Sequence, residues 1–409
     1  VPDFLTLDDL SLQGKTVLLR ADLNVPVDQG RVGDLSRLER LLPTLKELRA
    51  KNARIVLLSH FGRPESRPDP RYSLHPVVAA LSDLWGQPVA FAEDCIGPKA
   101  ANAVKALQAG QILILENTRF HAGEEANDPA FAQELASLGD VYINDAFSAA
   151  HRAHASTVGL ARLLPSAAGR AMQEEIEALT RALEKPERPL AAIVGGSKIS
   201  TKLELLQNLM GKVDILVLGG GMANTFLAAK GLTIGRSLSE PDMSPTAQTI
   251  MAKAEQRGCH ILLPQDAVTA PALKAGVPVK TVSVQSVPAD EMILDIGPAS
   301  VQEIKDNLAL CKTIVWNGPL GAFETPPFDK ATTEVAICVA DLTKRGKVLS
   351  VAGGGDTMAA LAHAGTTHGV SYLSAAGGAF LEWLEGRILP GVEALKQAVP
   401  KVKTGKVIM

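Results

Sequence analysis

Seven basic side chains in the first 152 residues fall just after, or at the end of, apolar runs of strand length. They are Arg20, Arg37, His60, Arg63, Arg119, His151 and Arg152; Arg37 is the exception, opening a helical pattern. Guanidinium forks match phosphate and carboxylate oxygens. Asp22 and Asn24, lying among them, could hold hydroxyls or orient the arginines. One arginine after a strand is ordinarily a solvated loop charge, and one histidine is ordinarily structural. Several independent strand ends supplying cations to one rim point instead to a small, doubly anionic ligand.

The second half places glycines where the first half places cations: Gly195-Gly196, Gly219-Gly220-Gly221 and Gly353-Gly354-Gly355-Asp356-Thr357. A glycine turn that opens a helix can present backbone N–H groups to phosphate, and Asp356 could hold Mg²⁺, through water. Lys198 and Lys202, four apart in GGSKISTKLELL, read as one helix face able to reach a polyphosphate. Neither common nucleotide fingerprint is present. Asn224 breaks G-x-G-x-x-G after Gly219, and the only Gly-Lys-Thr, Gly14–Thr16, has Asp9 where a phosphate loop needs its first glycine. No Ser-His-Asp or Cys-His arrangement is evident.

Apolar runs without polar alternation must position these groups. Strands are expected at Thr16–Leu19, Arg54–Leu58, Val89–Ala92, Gln111–Leu115 and Val141–Ile143, then at Leu190–Val194, Ile215–Leu218, His260–Leu263, Thr313–Val315 and Lys347–Val351. Helical patterns such as Ser36–Lys51, Leu74–Leu84 and Pro129–Leu138 lie between them. That alternation predicts an α/β fold of two doubly wound, Rossmann-like parallel-sheet domains. Gly169–Lys185 has helical spacing and is ended by Pro186 and Pro189, so a hinge helix joins the domains. In such sheets ligands bind beyond the carboxyl ends of the strands. RADLNVP, SHFGRP, ENTRF, NDAFSAAHRAHAST, GGSK, GGG, WNGP and GGGD all fall there.

The chain has 409 residues, 46% hydrophobic and 21% charged, enough for two cores. A net charge of −3 gives no global field toward nucleic acid or an anionic membrane, so the basic set must act locally. Cys95, Cys259, Cys311 and Cys338 lack C-x-x-C spacing and read as reduced thiols of a cytoplasmic protein. VPDFLTLDDL lacks the basic-then-apolar pattern of a signal peptide. The long uncharged stretch Thr357–Leu381 is interrupted by His363, His368, glycines and threonines and does not read as a membrane span.

Taken together, RADLNVP (20–26), SHFGRP (59–64), NDAF…AHRAHAS (144–156), VGGSKISTKLELL (194–206), GGGMANTF (219–226), WNGPLGAFE (316–324), AGGGDT (352–357) and AFLEWLEGRILPGV (379–392) resemble the signatures of the phosphoglycerate kinase family over essentially the whole chain. The resemblance implies reversible phosphoryl transfer in glycolysis from 1,3-bisphosphoglycerate to ADP, giving 3-phosphoglycerate and ATP. It implies a phosphoglycerate-binding domain, 1–168 with 388–409, using Asp22, Asn24, Arg37, His60, Arg63, Arg119, His151 and Arg152. It also implies an interdomain helix, 169–185, and a nucleotide-binding domain, 186–387. There Mg-ATP or Mg-ADP would meet Ser197, Lys198, Lys202, Gly219 to Gly221, Gly297, Asn317, Gly318, Pro319, Leu320, Glu324 at the ribose, and Gly354, Gly355, Asp356 and Thr357. Arg37 and Lys202 would stabilise the moving PO₃ group, with Gly377 and Gly378 in the transition-state loop and Asp356 at the metal. A hinge-bending monomer acting on small molecules, not on nucleic acid or membrane, is the expected whole.

Three departures from the family pattern stand out. The usual Ser-Thr-Gly-Gly-Gly-Ala is Ser374-Ala375-Ala376-Gly377-Gly378-Ala379 here, losing a hydroxyl at 375 and a glycine at 376. Ala376 would strain the loop only if the site requires positive φ. Weakened catalysis is expected, with the pair Ala375→Thr, Ala376→Gly raising kcat; the alternative is a catalytically weakened, nucleotide-binding regulatory protein. Ser148-Ala149 replaces Gly-Thr before AHRAH, and Phe61 replaces Leu in SHLGRP.

Overall fold

The computed structural model describes residues 3–397. It divides into two compact units, Val1–Glu177 with the segment from Ile388 onward, and Ala178–Arg387. Each is built on a six-stranded sheet whose strand pairs are all parallel.

In the first unit the strand order is Ala90–Ala92, Ile112–Leu115, Arg54–Leu58, Thr16–Arg20, Val141–Asn144, Ser166–Ala168. The central strand Thr16–Arg20 is buried along its whole length, as a sheet covered on both faces requires. Helix Ser36–Ala50 lays Leu38, Leu41, Leu45 and Leu48 on the core at three- and four-residue spacing. Asp140 pins the start of the central strand by accepting from Thr16 N at 2.8 Å.

The second unit has the order His260–Leu262, Ile215–Leu218, Leu190–Val194, Thr313–Asn317, Leu349–Gly353, Tyr372–Ser374. Asp214 repeats the device of Asp140, accepting from Leu190 N at 2.6 Å. A three-stranded antiparallel sheet, Lys280–Ser283, Asp266–Ala270 and Met292–Ile296, is appended to this unit and was not foreseen from the sequence. The short edge strands Ser166–Ala168 and Tyr372–Ser374 were also missed.

The expected Gly169–Lys185 helix is a helix over Arg170–Leu179 followed by a π-helical turn, Thr180–Glu184. Its first turn is held hard: Arg170 N donates to Thr44 Oγ1 and Met172 N to Asp145 Oδ1, at 2.9 and 3.0 Å. A Cβ on Gly169 would sit 2.3 Å from the Asp145 carboxyl, so that approach needs glycine.

Candidate functional site

In the first unit the cations gather at the carboxyl end of the sheet and hold one another through polar partners. Arg20 is fully buried, donating to Ser156 Oγ at 2.9 Å and Ala21 O at 2.7 Å. Its Nη2 donates to His60 Nδ1 at 2.9 Å. Arginine cannot accept, so the His60 proton in the neutral ring belongs on Nε2, facing away from Arg20. Burial, then the charges of Arg20, Arg119, His154 and Arg37, hold His60 well below the usual imidazole range.

Asp22 organises the rim. Its Oδ1 accepts from Arg37 Nη1 at 3.0 Å, and its Oδ2 accepts from Ser148 Oγ at 2.6 Å. Arg37, in the first turn of its helix, also donates to Asn24 O, while Asn24 Oδ1 accepts from Gly62 N. Arg119 donates to Gly62 O at 2.8 Å, and its Nε lies 3.1 Å from Glu125 Oε1, in ion-pair range but off a hydrogen-bond axis. Burial lowers the Arg119 pKa first, with Glu125 opposing and Arg20 and Arg152 adding to the effect. Arg152 Nε approaches His151 Nε2 at 3.2 Å. Arg63 is exposed and stands apart from these contacts.

His154 belongs to this cluster and was not singled out from the sequence. Burial and the charges of Arg119, Arg20, Arg152 and His151 push it down to about 4. Ser148, a departure from the family pattern, supplies a hydroxyl to Asp22, so that substitution keeps a polar partner at the rim.

In the second unit three glycine turns pack backbone on backbone. A Cβ on Gly195 would lie 1.7 Å from Pro319 O, and one on Gly220 would lie 2.5 Å from Gly196 O. Gly195 N donates to Asn317 O, Gly219 N to Val194 O and Gly220 N to Leu320 O. These N–H groups are spent inside the protein, so Gly195, Gly219 and Gly220 serve close approach, not phosphate cradling. The turn at 353–357 matches expectation: it ends strand Leu349–Gly353 and opens helix Gly355–His363, with Gly354 at φ +98°. The first N–H groups of that helix have no intrahelical acceptor.

Lys198 and Lys202 do not share a helix face, contrary to the sequence reading, because the helix begins only at Leu203. Lys198 is exposed. Lys202 turns back into the crevice between strands Leu190–Val194 and Thr313–Asn317, where its Nζ donates to Gly195 O at 2.6 Å and Asn317 Oδ1 at 2.7 Å. Burial lowers its pKa to about 8, with Asp356 opposing. Asn317 Nδ2 donates to Gly353 O, and Gly318 N to Thr357 Oγ1 at 2.8 Å, tying both turns to the Lys202 crevice.

Beside this crevice lies a cleft of about 410 Å³. Gly196, Ser197, Gly220, Gly221, Pro319, Leu320 and Asp356 line its polar end, and Leu238, Leu273 and Met292 to Leu294 line an apolar end. The apolar wall comes from the appended antiparallel sheet and its flanks, which the sequence reading missed. Half-exposed Leu238 and Leu273 mark it, and only exposure reveals them. Glu324 is exposed and lies two residues beyond the last lining residue of that loop, Ala322. Gly297 directly follows Asp295 and Ile296, which line the cleft. It caps helix Pro298–Leu310, whose Ala299 and Ser300 N–H groups are already taken by Asp266. Gly377, at φ +52°, caps helix Gly378–Leu384. Ala376 has no positive φ, so the replaced glycine adds no backbone strain.

The model of the phosphoglycerate kinase family matches residues 7–387. The chain is 62% identical over 392 residues to phosphoglycerate kinase of Rhodospirillum centenum, covering 96% of this chain and 99% of that one. It is 60% identical over 397 residues to that of Azorhizobium caulinodans, covering 97% and 100%. Among solved structures, phosphoglycerate kinase from Coxiella burnetii matches with a TM-score of 0.90 at 42% identity, over 96% of this chain and 99% of that chain. That from Pyrococcus horikoshii matches with a TM-score of 0.80 at 31% identity, with the same coverage. With a family model spanning nearly all of it and full-length relatives near 60% identity, the chain belongs to the phosphoglycerate kinase family.

Proposed function

We infer that this protein is a phosphoglycerate kinase, transferring a phosphoryl group reversibly between 1,3-bisphosphoglycerate and ADP. The observation that carries this reading is the half-buried Lys202 ammonium, held by backbone and amide oxygens next to the cleft that Asp356 lines. An ammonium fixed in advance can stabilise charge developing on a moving PO₃ group without reorganising. The first unit takes the phosphoglycerate through Arg37, Arg119, Arg152 and His60, with Asp22 and Asn24 setting the arginines and Arg63 and His151 at the margin. The nucleotide base lies against Leu238, Leu273 and Met292 to Leu294, and its phosphates run toward Ser197, Lys198 and the 354–357 turn.

The acceptor in the ATP-consuming direction is a carboxylate, ionised at neutral pH, so the chain supplies alignment and charge rather than a general base. Transfer is direct and in line, and Arg37 and Lys202 are the two cations assigned to the charge on the moving group. Asp356 fits Mg²⁺: it is an exposed hard carboxylate at the cleft that would hold a hard cation. When bound, that ion neutralises polyphosphate charge. Glu324 at the ribose and Gly377 and Gly378 at the transferring group complete the assignment. The protein works as a cytoplasmic monomer, which sedimentation of the purified chain checks.

A coupled assay of ATP formation from 1,3-bisphosphoglycerate and ADP tests the reading. Turnover that requires Mg²⁺ and both substrates is expected. Nucleotide binding without turnover would overturn it in favour of a regulatory role.

A further inference from the structure

A second cluster lies in the first unit, away from the cations just described. Asp94 and Cys95 follow the edge strand Ala90–Ala92, and His121 follows the turn after the neighbouring strand Ile112–Leu115, with which that edge strand pairs. One donor atom from each of Asp94, Cys95 and His121 lies within 4.8 Å of the others. His121 Nε2 and Asp94 Oδ1 are 2.8 Å apart, and Asp94 Oδ1 also accepts from Cys95 N at 2.7 Å. The imidazole is stacked on Phe131 at 5.3 Å between centroids, which limits its rotation.

The Cys95 side chain is fully buried and its thiol is in no disulfide. Burial raises the Cys95 thiol pKa most, and the carboxylates of Asp94, Glu124 and Glu116 add to that rise, a negative surround that a cation at the sulfur would offset. Asp94 and His121 are partly exposed, giving an ion a way in. The phosphoryl-transfer reading makes no use of these three side chains.

We propose that Asp94, Cys95 and His121 bind one thiophilic divalent cation of the Zn²⁺ class, with solvent as the fourth ligand. Thiolate, imidazole and carboxylate together suit zinc or cobalt and not magnesium, which prefers oxygen ligands alone. Zinc holds N and O ligands at about 2.0–2.1 Å, so tetrahedral donors stand roughly 3.3 Å apart. The His121–Asp94 contact at 2.8 Å would open slightly, and the Cys95 sulfur, within 4.8 Å of both donors, would settle roughly 3.6 Å from each. On binding, the Cys95 S–H bond breaks, the proton leaves to solvent and a sulfur–metal bond forms. The ion would tie the edge strand to the turn that carries Arg119, two residues before His121.

Co²⁺ titration of the reduced, chelator-treated full chain, with Mg²⁺ in excess, tests this. Expected are a saturable sulfur-to-cobalt charge-transfer absorption, its displacement by Zn²⁺, and its loss in Cys95→Ser. His121→Ala should weaken Co²⁺ binding by about 10- to 100-fold or more. No charge-transfer absorption, or one retained in Cys95→Ser, would overturn the proposal. Should Cys95→Ser fail to fold by circular dichroism, unchanged Co²⁺ affinity in His121→Ala overturns it instead, since that side chain is part exposed.

Discussion

The two sheets of this molecule have nearly the same strand order, and their rims solve opposite problems. Counted in chain order within each unit, the second sheet runs 3-2-1-4-5-6, the order of dinucleotide-binding folds, while the first runs 3-4-2-1-5-6. Both place a crevice beside strand 1, between Arg20 and Asn144 in the first unit and between Val194 and Asn317 in the second. The first rim fills that region with cations, each needing a partner to lie so close to the others. The second fills it with backbone, which needs only the absence of Cβ atoms. Charge must be propped, by Asp22, Ser148, Ser156 and Glu125. Glycine turns must simply touch.

Lys202 is the place to break the contrast, because it is a half-buried cation on the glycine side. Lys202→Ala should lower kcat by about 10²- to 10³-fold, the cost of removing one preorganised charge from a transition state. Its pKa near 8 adds a test by pH. The ammonium is the useful form, so kcat should fall as pH rises through about 8, and Lys202→Ala should lose that limb. A limb that persists in the variant belongs to another group.

Close approach predicts the next largest effect. Gly195→Ala puts a methyl 1.7 Å from Pro319 O, against backbone that cannot swing aside. Destabilisation of about 3 kcal/mol or more is expected, at or beyond the upper end for overpacking, read from urea unfolding. Gly377 has nothing within 4 Å of a Cβ, so Gly377→Ala should cost only its positive φ. Equal losses at the two positions would show that close approach is not what the second rim requires.

The charged rim makes a prediction in acid. His154 is held down to about 4 in the folded chain, against about 6.5 when unfolded. Its contribution is therefore full above about 6.5 and is lost as pH falls toward 4, on the order of 3 kcal/mol in all. Half-buried His60 shifts the same way, and Asp145, pushed up to about 6 by burial, opposes them. Hydrogen exchange should show strand Val141–Asn144 losing protection between pH 6.5 and 4.5, and His154→Asn should flatten that loss. An unchanged slope in the variant would remove His154 from the account.

Much of this was legible in the sequence, for physical reasons that differ by element. Val17–Leu19 and Ile314–Val315 announced parallel strands because both faces are buried and no polar alternation survives. Strand Lys280–Ser283 did not, since three of its four residues are exposed and it lies at the edge of the appended sheet. With that sheet went the apolar wall of the cleft. Lys198 and Lys202 looked like one helix face because spacing alone carries no information about Gly195 pressing on Pro319. The chain stays irregular until Leu203, and Lys202 faces carbonyls. His154 was visible as a letter in AHRAH, but its depressed pKa exists only where Arg20, Arg119 and Arg152 converge.

The smallest expected effect concerns the loop at 374–379, where the chain departs from its family. The expected gain from restoring both residues rested partly on strain at Ala376, and the structure shows none: positive φ falls on Gly377 instead. Ala376 is buried, and its N–H donates to Ser374 Oγ at 3.2 Å, a bond that glycine would keep. Ala376→Gly alone should therefore leave kcat within about twofold and cost about 0.4–1 kcal/mol of stability, by loosening the unfolded chain. Ala375→Thr alone restores a hydroxyl without touching the backbone. If the double variant gains kcat, that gain should appear in full in Ala375→Thr, measured at saturating substrates. A gain that needs Ala376→Gly would mean that the loop takes up positive φ at 376 during turnover, and the second rim would then be held by a moving turn.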